Sequence, residues 1–171
     1  MAEPGARWGR LAGSWSTRAS AGQHLGVRHD GGMDLRVLSD RLAVCRMPAE
    51  SPWPTPPAGP SFFSVTRTDA EMSVVCREDS APAGEHVRVE TDWRALEVAG
   101  PLDFSMVGVM AALTAPLADV DVSVFVVSTY DTDYVLVHAA ALEKAVEALR
   151  GAGHAVHAGC SSRHAGAGPR G

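Results

Sequence analysis

The chain of 171 residues has no long hydrophobic run, few cysteines and no catalytic signature, and each shortage closes a class of function. Its longest apolar stretch, Val122 to Val127, is interrupted by Ser123 and falls far short of the roughly 20 residues that span a bilayer. No membrane partner is expected. Arginines at 7, 10 and 18 are followed by no continuous apolar stretch, so a secretory signal is not expected and the reading is a cytoplasmic protein. Cys45, Cys76 and Cys160 are odd in number and widely separated, which fits neither a disulfide framework nor a paired metal site. Inert, buried thiols are expected instead.

Signatures of catalysis are missing too. There is no G-x-x-x-x-G-K-[ST], no H-E-x-x-H, no G-x-S-x-G, and no G-x-G-x-x-G after a strand. The seven histidines lie mostly in tails or loops, and His154 with His157, the one close pair, has no cysteine or carboxylate company. Neither a metal, a cofactor nor a catalytic residue is assigned. An enzyme using Asp131 and Asp133 as acid and base would still lack a nucleophile or cofactor. Charge is also short on one side. Residues 34 to 153 hold nine basic and eighteen acidic side chains, a net of −9, while six arginines lie in the tails. An acidic body repels phosphate backbones, so no nucleic-acid partner is expected.

What is present begins after residue 32. Residues 1–32 are rich in Gly, Ala, Ser and Arg without period, and read as a disordered leader; patterned sequence starts just after Met33, which suggests that residue as the natural start. Residues 158–171 read as a disordered tail. Between them, Leu35 to Leu38, Leu42 to Met47, Phe62 to Arg67 and Met72 to Cys76 read as strands, with a stiff proline-rich connector at 48–60. Trp93 to Val98 is a further strand. From Ser105, Met106, Met110, Leu113 and Leu117 recur at helical spacing, with Pro116 expected to kink or break the last turn. Val122 to Val127 reads as a buried central strand and Tyr134 to Val137 as its neighbour. Leu142, Ala145, Val146 and Leu149 give a second amphipathic helix that Gly151 and Gly153 can end, and Ala155 to Val156 a last strand. The order strand, helix, strand, strand, helix, strand over 93–157 is the split βαβ, ferredoxin-like pattern. Pairing with a second such unit is expected.

Residues 101–137, PLDFSMVGVMAALTAPLADVDVSVFVVSTYDTDYVLV, with FFSVTRTDAEMSVVC at 62–76 and WRALEVAGPLDF at 93–104, resemble tandem ACT-domain proteins. They are similar to the CASTOR-type arginine sensors and to the regulatory ACT domains of aspartate kinases. The resemblance implies an α+β fold of two tandem ferredoxin-like (ACT-like) βαββαβ-type domains with antiparallel sheets, at 34–90 and 91–157. It also implies homodimerisation and ligand binding, and leaves the ligand open. In the resembled sensors, the residue matching Asp133 is a ligand-contacting acid, and the one matching Tyr130 an aromatic beside the ligand.

Two segments carry the candidate site. Asp103, Phe104 and Ser105 lead into a helix whose first amides have no partner within it, a terminus that attracts a carboxylate. Asp103 could equally cap that helix. Gly108 lacks a β-carbon and permits close approach, either by a ligand or by the packed sheet. Ser128 to Asp133 concentrates hydroxyls, a ring and two carboxylates: Thr129, Tyr130, Asp131, Thr132 and Asp133. The carboxylates could accept hydrogen bonds from an ammonium or guanidinium group on which Tyr130 stacks, or the turn could simply bond itself. The expectation is a non-catalytic, small-molecule-binding regulatory protein that senses an amino acid at an ACT-domain interface and signals to an unknown protein partner. The alternative is an ACT-like dimerisation or interaction module without a ligand.

Overall fold

The computed structural model describes residues 32–59 and 61–159, and those residues form one eight-stranded sheet with two helices. The strands are β1 (Asp34–Val37), β2 (Leu42–Met47), β3 (Ser64–Arg67), β4 (Met72–Arg77), β5 (Arg88–Val98), β6 (Val124–Ser128), β7 (Asp133–His138) and β8 (Ala155–Ala158). The helices are α1 (Val109–Ala118) and α2 (Leu142–Gly151). The class is α+β. The expected leader, apart from Gly32, and the expected tail, apart from Ala158 and Gly159, lie outside the described residues.

β5 organises the sheet. Its eleven residues begin five positions before the expected Trp93, because Arg88 to Asp92 are exposed and lack the apolar alternation that announces a strand. On one edge β1 and then β2 follow each other along it, Leu35 opposite Val98 and Leu42 opposite Trp93. β7 takes the other edge, with Leu96 opposite Val135. β8 lies outside β1 and parallel to it, and the β3–β4 hairpin lies outside β2. A boundary at residue 90 thus falls within β5, and β1 pairs with strands of the later unit. Residues 88–158 supply the βαββαβ order, whereas the described residues before 88 supply strands and a single 3-10 turn but no α-helix. The run ending at Val127 is not a central strand: β6 pairs with β7 alone, at the sheet's edge. Its apolar residues are continuous because both faces are half-covered, Val124 packing on the helix side and Phe125 and Val127 on the other.

Alternation along β5 sorts the core. Leu96 and Val98 point toward the helices with Leu113, Leu117, Ala145 and Leu149, whereas Trp93 and Ala95 point to the opposite face with Leu42, Val75 and Leu136. A third cluster, Ala43, Cys45, Met72, Val74 and Cys76, lies among β2 and β4. Both thiols are free and buried, as expected, and their hydrogen bond together with burial pushes the Cys45 thiol up. Cys160 lies outside the described residues.

Helix α1 is not broken by Pro116, which sits inside it. Proline cannot donate to the carbonyl four residues earlier, Ala112, and that oxygen is met instead by His154 Nε2 at 3.1 Å. The Met33 N–H donates to His154 Nδ1 at 3.1 Å, so Nδ1 is the acceptor and the ring proton is on Nε2. One buried, neutral imidazole thus ties β1, α1 and the entry to β8 together. Its ring is committed to backbone, not to a metal, and no metal-binding group occurs among the described residues. At the end of α2, Gly153 has φ +93° and the His154 N–H returns to Leu149 O at 3.0 Å. This is the six-to-one closure of a Schellman motif.

Candidate functional site

Between β5 and α1 the chain does not enter the helix directly. Asp103 to Met106 forms a turn, with the Met106 N–H on Asp103 O at 2.9 Å and the Ser105 N–H on Asp103 Oδ1 at 2.8 Å. Asp103 therefore caps this turn and not α1, which starts at Val109, four residues after the expected start at Ser105. Hydrogen bonds from the Ser105 side chain and then its backbone hold the Asp103 carboxyl below its ordinary value. The late start has a local cause. Gly108 is left-handed, at φ +82°, so it reverses the chain just ahead of the helix. A β-carbon there would meet nothing within 4 Å, so conformation and not close packing calls for glycine.

The β6–β7 turn is held by its own threonines. The Thr129 N–H and hydroxyl both donate to Thr132 O, at 2.8 and 2.9 Å, and the Thr132 N–H returns to Thr129 Oγ1 at 3.2 Å. Thr132 also donates its hydroxyl to Val98 O, and the Leu102 N–H donates to Asp131 O at 2.8 Å. These bonds dock the β6–β7 turn against the segment leaving β5. The approach is close: a β-carbon at Gly100 would lie 2.6 Å from Asp131 O. Part of the polar turn thus bonds itself, which leaves Ser128, Tyr130, Asp131 and Asp133 as its uncommitted polar side chains.

The two segments enclose a cleft of about 460 Å³. Its lining includes Asp103, Phe104, Gly108, Thr129, Tyr130, Thr132 and Asp133, while Ser105 and Asp131 do not face it. Val109, Met110 and Ala111 complete its helical wall, and sequence reasoning missed them because it began the helix too early. Their amides precede the first helical bond, Ala112 N–H to Gly108 O at 2.9 Å, and no side chain caps them. One wall therefore offers backbone donors and a partial positive charge. The facing wall offers the Asp133 carboxylate. At the mouth, Phe104 and Tyr130 meet edge to face at 5.0 Å although they are 77% and 79% exposed.

Comparison with known proteins gives the family of the segment that forms the cleft. An ACT-domain family model matches residues 88–151, the segment that holds both walls of the cleft, and a family of N-terminal domains matches 40–84. The chain is an ACT-domain protein. It is similar to human CASTOR3P, 38% identical over 87 residues, covering 44% of this chain and 53% of that one. It is also similar to the bovine cytosolic arginine sensor for mTORC1 subunit 1, 31% identical over 97 residues, covering 52% of this chain and 30% of the sensor. The ACT-domain chain thus spans about half and about a third of these two relatives. Among solved structures, protein Atu0741 from Agrobacterium tumefaciens matches with a TM-score of 0.69 and 34% identity, over 78% of this chain and 98% of that one. A structure of aspartokinase alpha and beta subunits shares the fold, with a TM-score of 0.50, 14% identity, and coverage of 71% and 97%. No helix among the described residues is long and apolar enough to cross a membrane.

Proposed function

We propose that this ACT-domain protein is a non-catalytic regulator that senses an amino acid in the cleft between the start of α1 and the β6–β7 turn. The observation that carries the reading is the opposition of poles: uncapped amides of Val109 to Ala111 on one wall and the free Asp133 carboxylate on the other. An α-amino acid carries the complementary pair of charges. Its carboxylate suits the helix terminus, and its ammonium or a cationic side chain suits Asp133, with Tyr130 beside it. The curated relative named as an arginine sensor supports a cationic amino acid as the first to test. The curated relative named as a sensor supports binding over catalysis.

A homodimer belongs to the same proposal. Phe104 and Tyr130, with Val107 at 95% exposed, put apolar surface at the cleft mouth, where a second copy would cover it and close the site. The experiment is a thermal-shift screen of the common amino acids, with light scattering of the protein alone and with any responder. A ligand at 100 times its dissociation constant stabilises by about 2.7 kcal/mol. The expected result is a response to one amino acid or a small group of them. A dimer with no response to any would favour the interaction module, for which the exposed rings alone would be the functional surface.

A further inference from the structure

A second cleft, of about 290 Å³, lies on the same face of the sheet but beside the other helix. Its floor is β1, β5 and β8, and its wall is one stripe of α2, the positions Leu142, Val146 and Arg150 spaced by four. Arg94 lies on the floor because it shares with Leu96 and Val98 the face of β5 that points toward the helices.

The chemistry of this cleft is unlike its surroundings. The body of the chain carries twice as many acids as bases, and its ion pairs join Arg36 to Glu97, Arg41 to Asp92, Arg46 to Glu71, Arg77 to Asp79 and, when its imidazole is protonated, His157 of this cleft to Asp34. Neither Arg94 nor Arg150 has such a partner among the described residues, and no acidic side chain lines the cleft. Arg94 uses Nη2 to donate to Leu38 O at 2.8 Å, while its Nε is buried with no acceptor. Arg150 uses Nη2 to donate to Val156 O at 2.7 Å. Each guanidinium is thus anchored through one nitrogen, with donors to spare. A buried donor without an acceptor destabilises a fold, and Arg94, half-buried and without a counter-ion, adds a smaller cost of its own. An anion at this place would remove both costs.

We propose that this cleft is a second ligand site, for a small organic carboxylate whose oxygens are held by Arg94 and Arg150 while its apolar body rests on Val37, Leu142, Val146 and Val156. A forked guanidinium matches a carboxylate, and the aliphatic walls favour a branched hydrocarbon body over inorganic phosphate. The site is independent of the cleft at α1, since the two share no lining residue.

The test is an NMR titration of the full chain with 4-methylpentanoate at constant ionic strength, following the arginine Nε–H resonances. The expected result is a saturable shift of Arg94 and Arg150, with inorganic phosphate binding more weakly and 4-methylpentanol not at all. Arg150→Gln, at an exposed position, should weaken binding by roughly tenfold to a hundredfold, the range for losing a charge-assisted hydrogen bond. Arg94→Lys, which keeps the charge and removes the Nε–H, should weaken it as well. Asp133→Ala should leave this binding unchanged, so failure here and failure of the amino-acid reading are separable. A shift that never saturates, one that chloride reproduces, or equal affinity in Arg150→Gln would overturn the proposal.

Discussion

In the half of the sheet that carries the ACT domain, two helices cover one face, whereas β2, β3 and β4 are closed by loop and edge residues such as Met47, Phe63, Val65 and Ala81. The two halves bury similar side chains with different consequences. Where helices do the covering, their ends and edges leave gaps with apolar walls, and both clefts argued above lie there. Where loops do it, the surface clefts are lined mainly by charged groups, as with Arg46, Glu50, Asp69, Glu85, His86 and Arg88. Clefts of mixed character therefore collect in the helical half, and β5 is the element that joins it to the other.

The largest effect should follow a cut in that shared strand. Leu96 is fully buried in the helix-side core and stands between Val37 of β1 and Val135 of β7. Leu96→Ala should destabilise by about 2 to 5 kcal/mol, the range for truncating a buried leucine. Denaturant unfolding followed by helical circular dichroism and by tryptophan fluorescence should give coincident curves, because both halves hang on β5. Two separate transitions would show that the halves fold independently, and the comparison would then concern two domains.

A smaller loss should come from the link that only the helical half possesses. His154→Ala strands the buried Met33 N–H and the part-buried Ala112 O, and should cost roughly 1 to 3 kcal/mol. Pro116→Ala restores a donor to Ala112 O. In the His154→Ala background it should recover part of the loss, and a double-mutant cycle by chemical denaturation would read the coupling. Additive effects would mean that the proline and the histidine are unrelated.

Gly108 isolates the entry to α1. A β-carbon there meets no atom, so Gly108→Ala should cost only the left-handed backbone, about 1 to 2 kcal/mol, measured by the same unfolding curves. A much larger loss would point to a packing role that the geometry does not show.

Periodic elements were legible in the sequence, and non-local ones were not. The strands from Leu42 and Met72 and the helix from Leu142 follow from local pattern, because each has one buried face or a continuous buried run. The start of α1 was misplaced because Met106 fits the helical spacing, while the left-handed Gly108 that forbids a longer helix leaves no periodic trace. β1 beside β8, 121 positions away in Asp34 and Ala155, is a pairing that no window contains. The segments lining the α1 cleft were visible as clusters of hydroxyls, acids and small residues. Which of them bond the turn and which remain free depends on contacts such as Thr132 to Val98 O, formed only on folding. Arg94 and Arg150, 56 positions apart and each unremarkable in its own segment, left no signal at all.

The smallest effect on folding should be at Asp133, and there the comparison can be made sharpest. Asp133 opens β7 opposite Ser128, and its carboxylate has no hydrogen bond or ion pair among the described residues. Nothing in the fold depends on that charge, so Asp133→Ala should shift unfolding stability by no more than about 0.5 kcal/mol. If the acid is held ready for a ligand's cationic end, the same change should remove a charge-assisted hydrogen bond of roughly 1.5 to 3 kcal/mol from binding. Affinity for whichever amino acid responds in the thermal screen should then fall by about one to two decades. Calorimetry on the folded variant separates the two quantities. Unchanged affinity in a protein of unchanged stability would show that the acidic wall is not part of the site, and would leave the helix-end amides alone to account for any ligand.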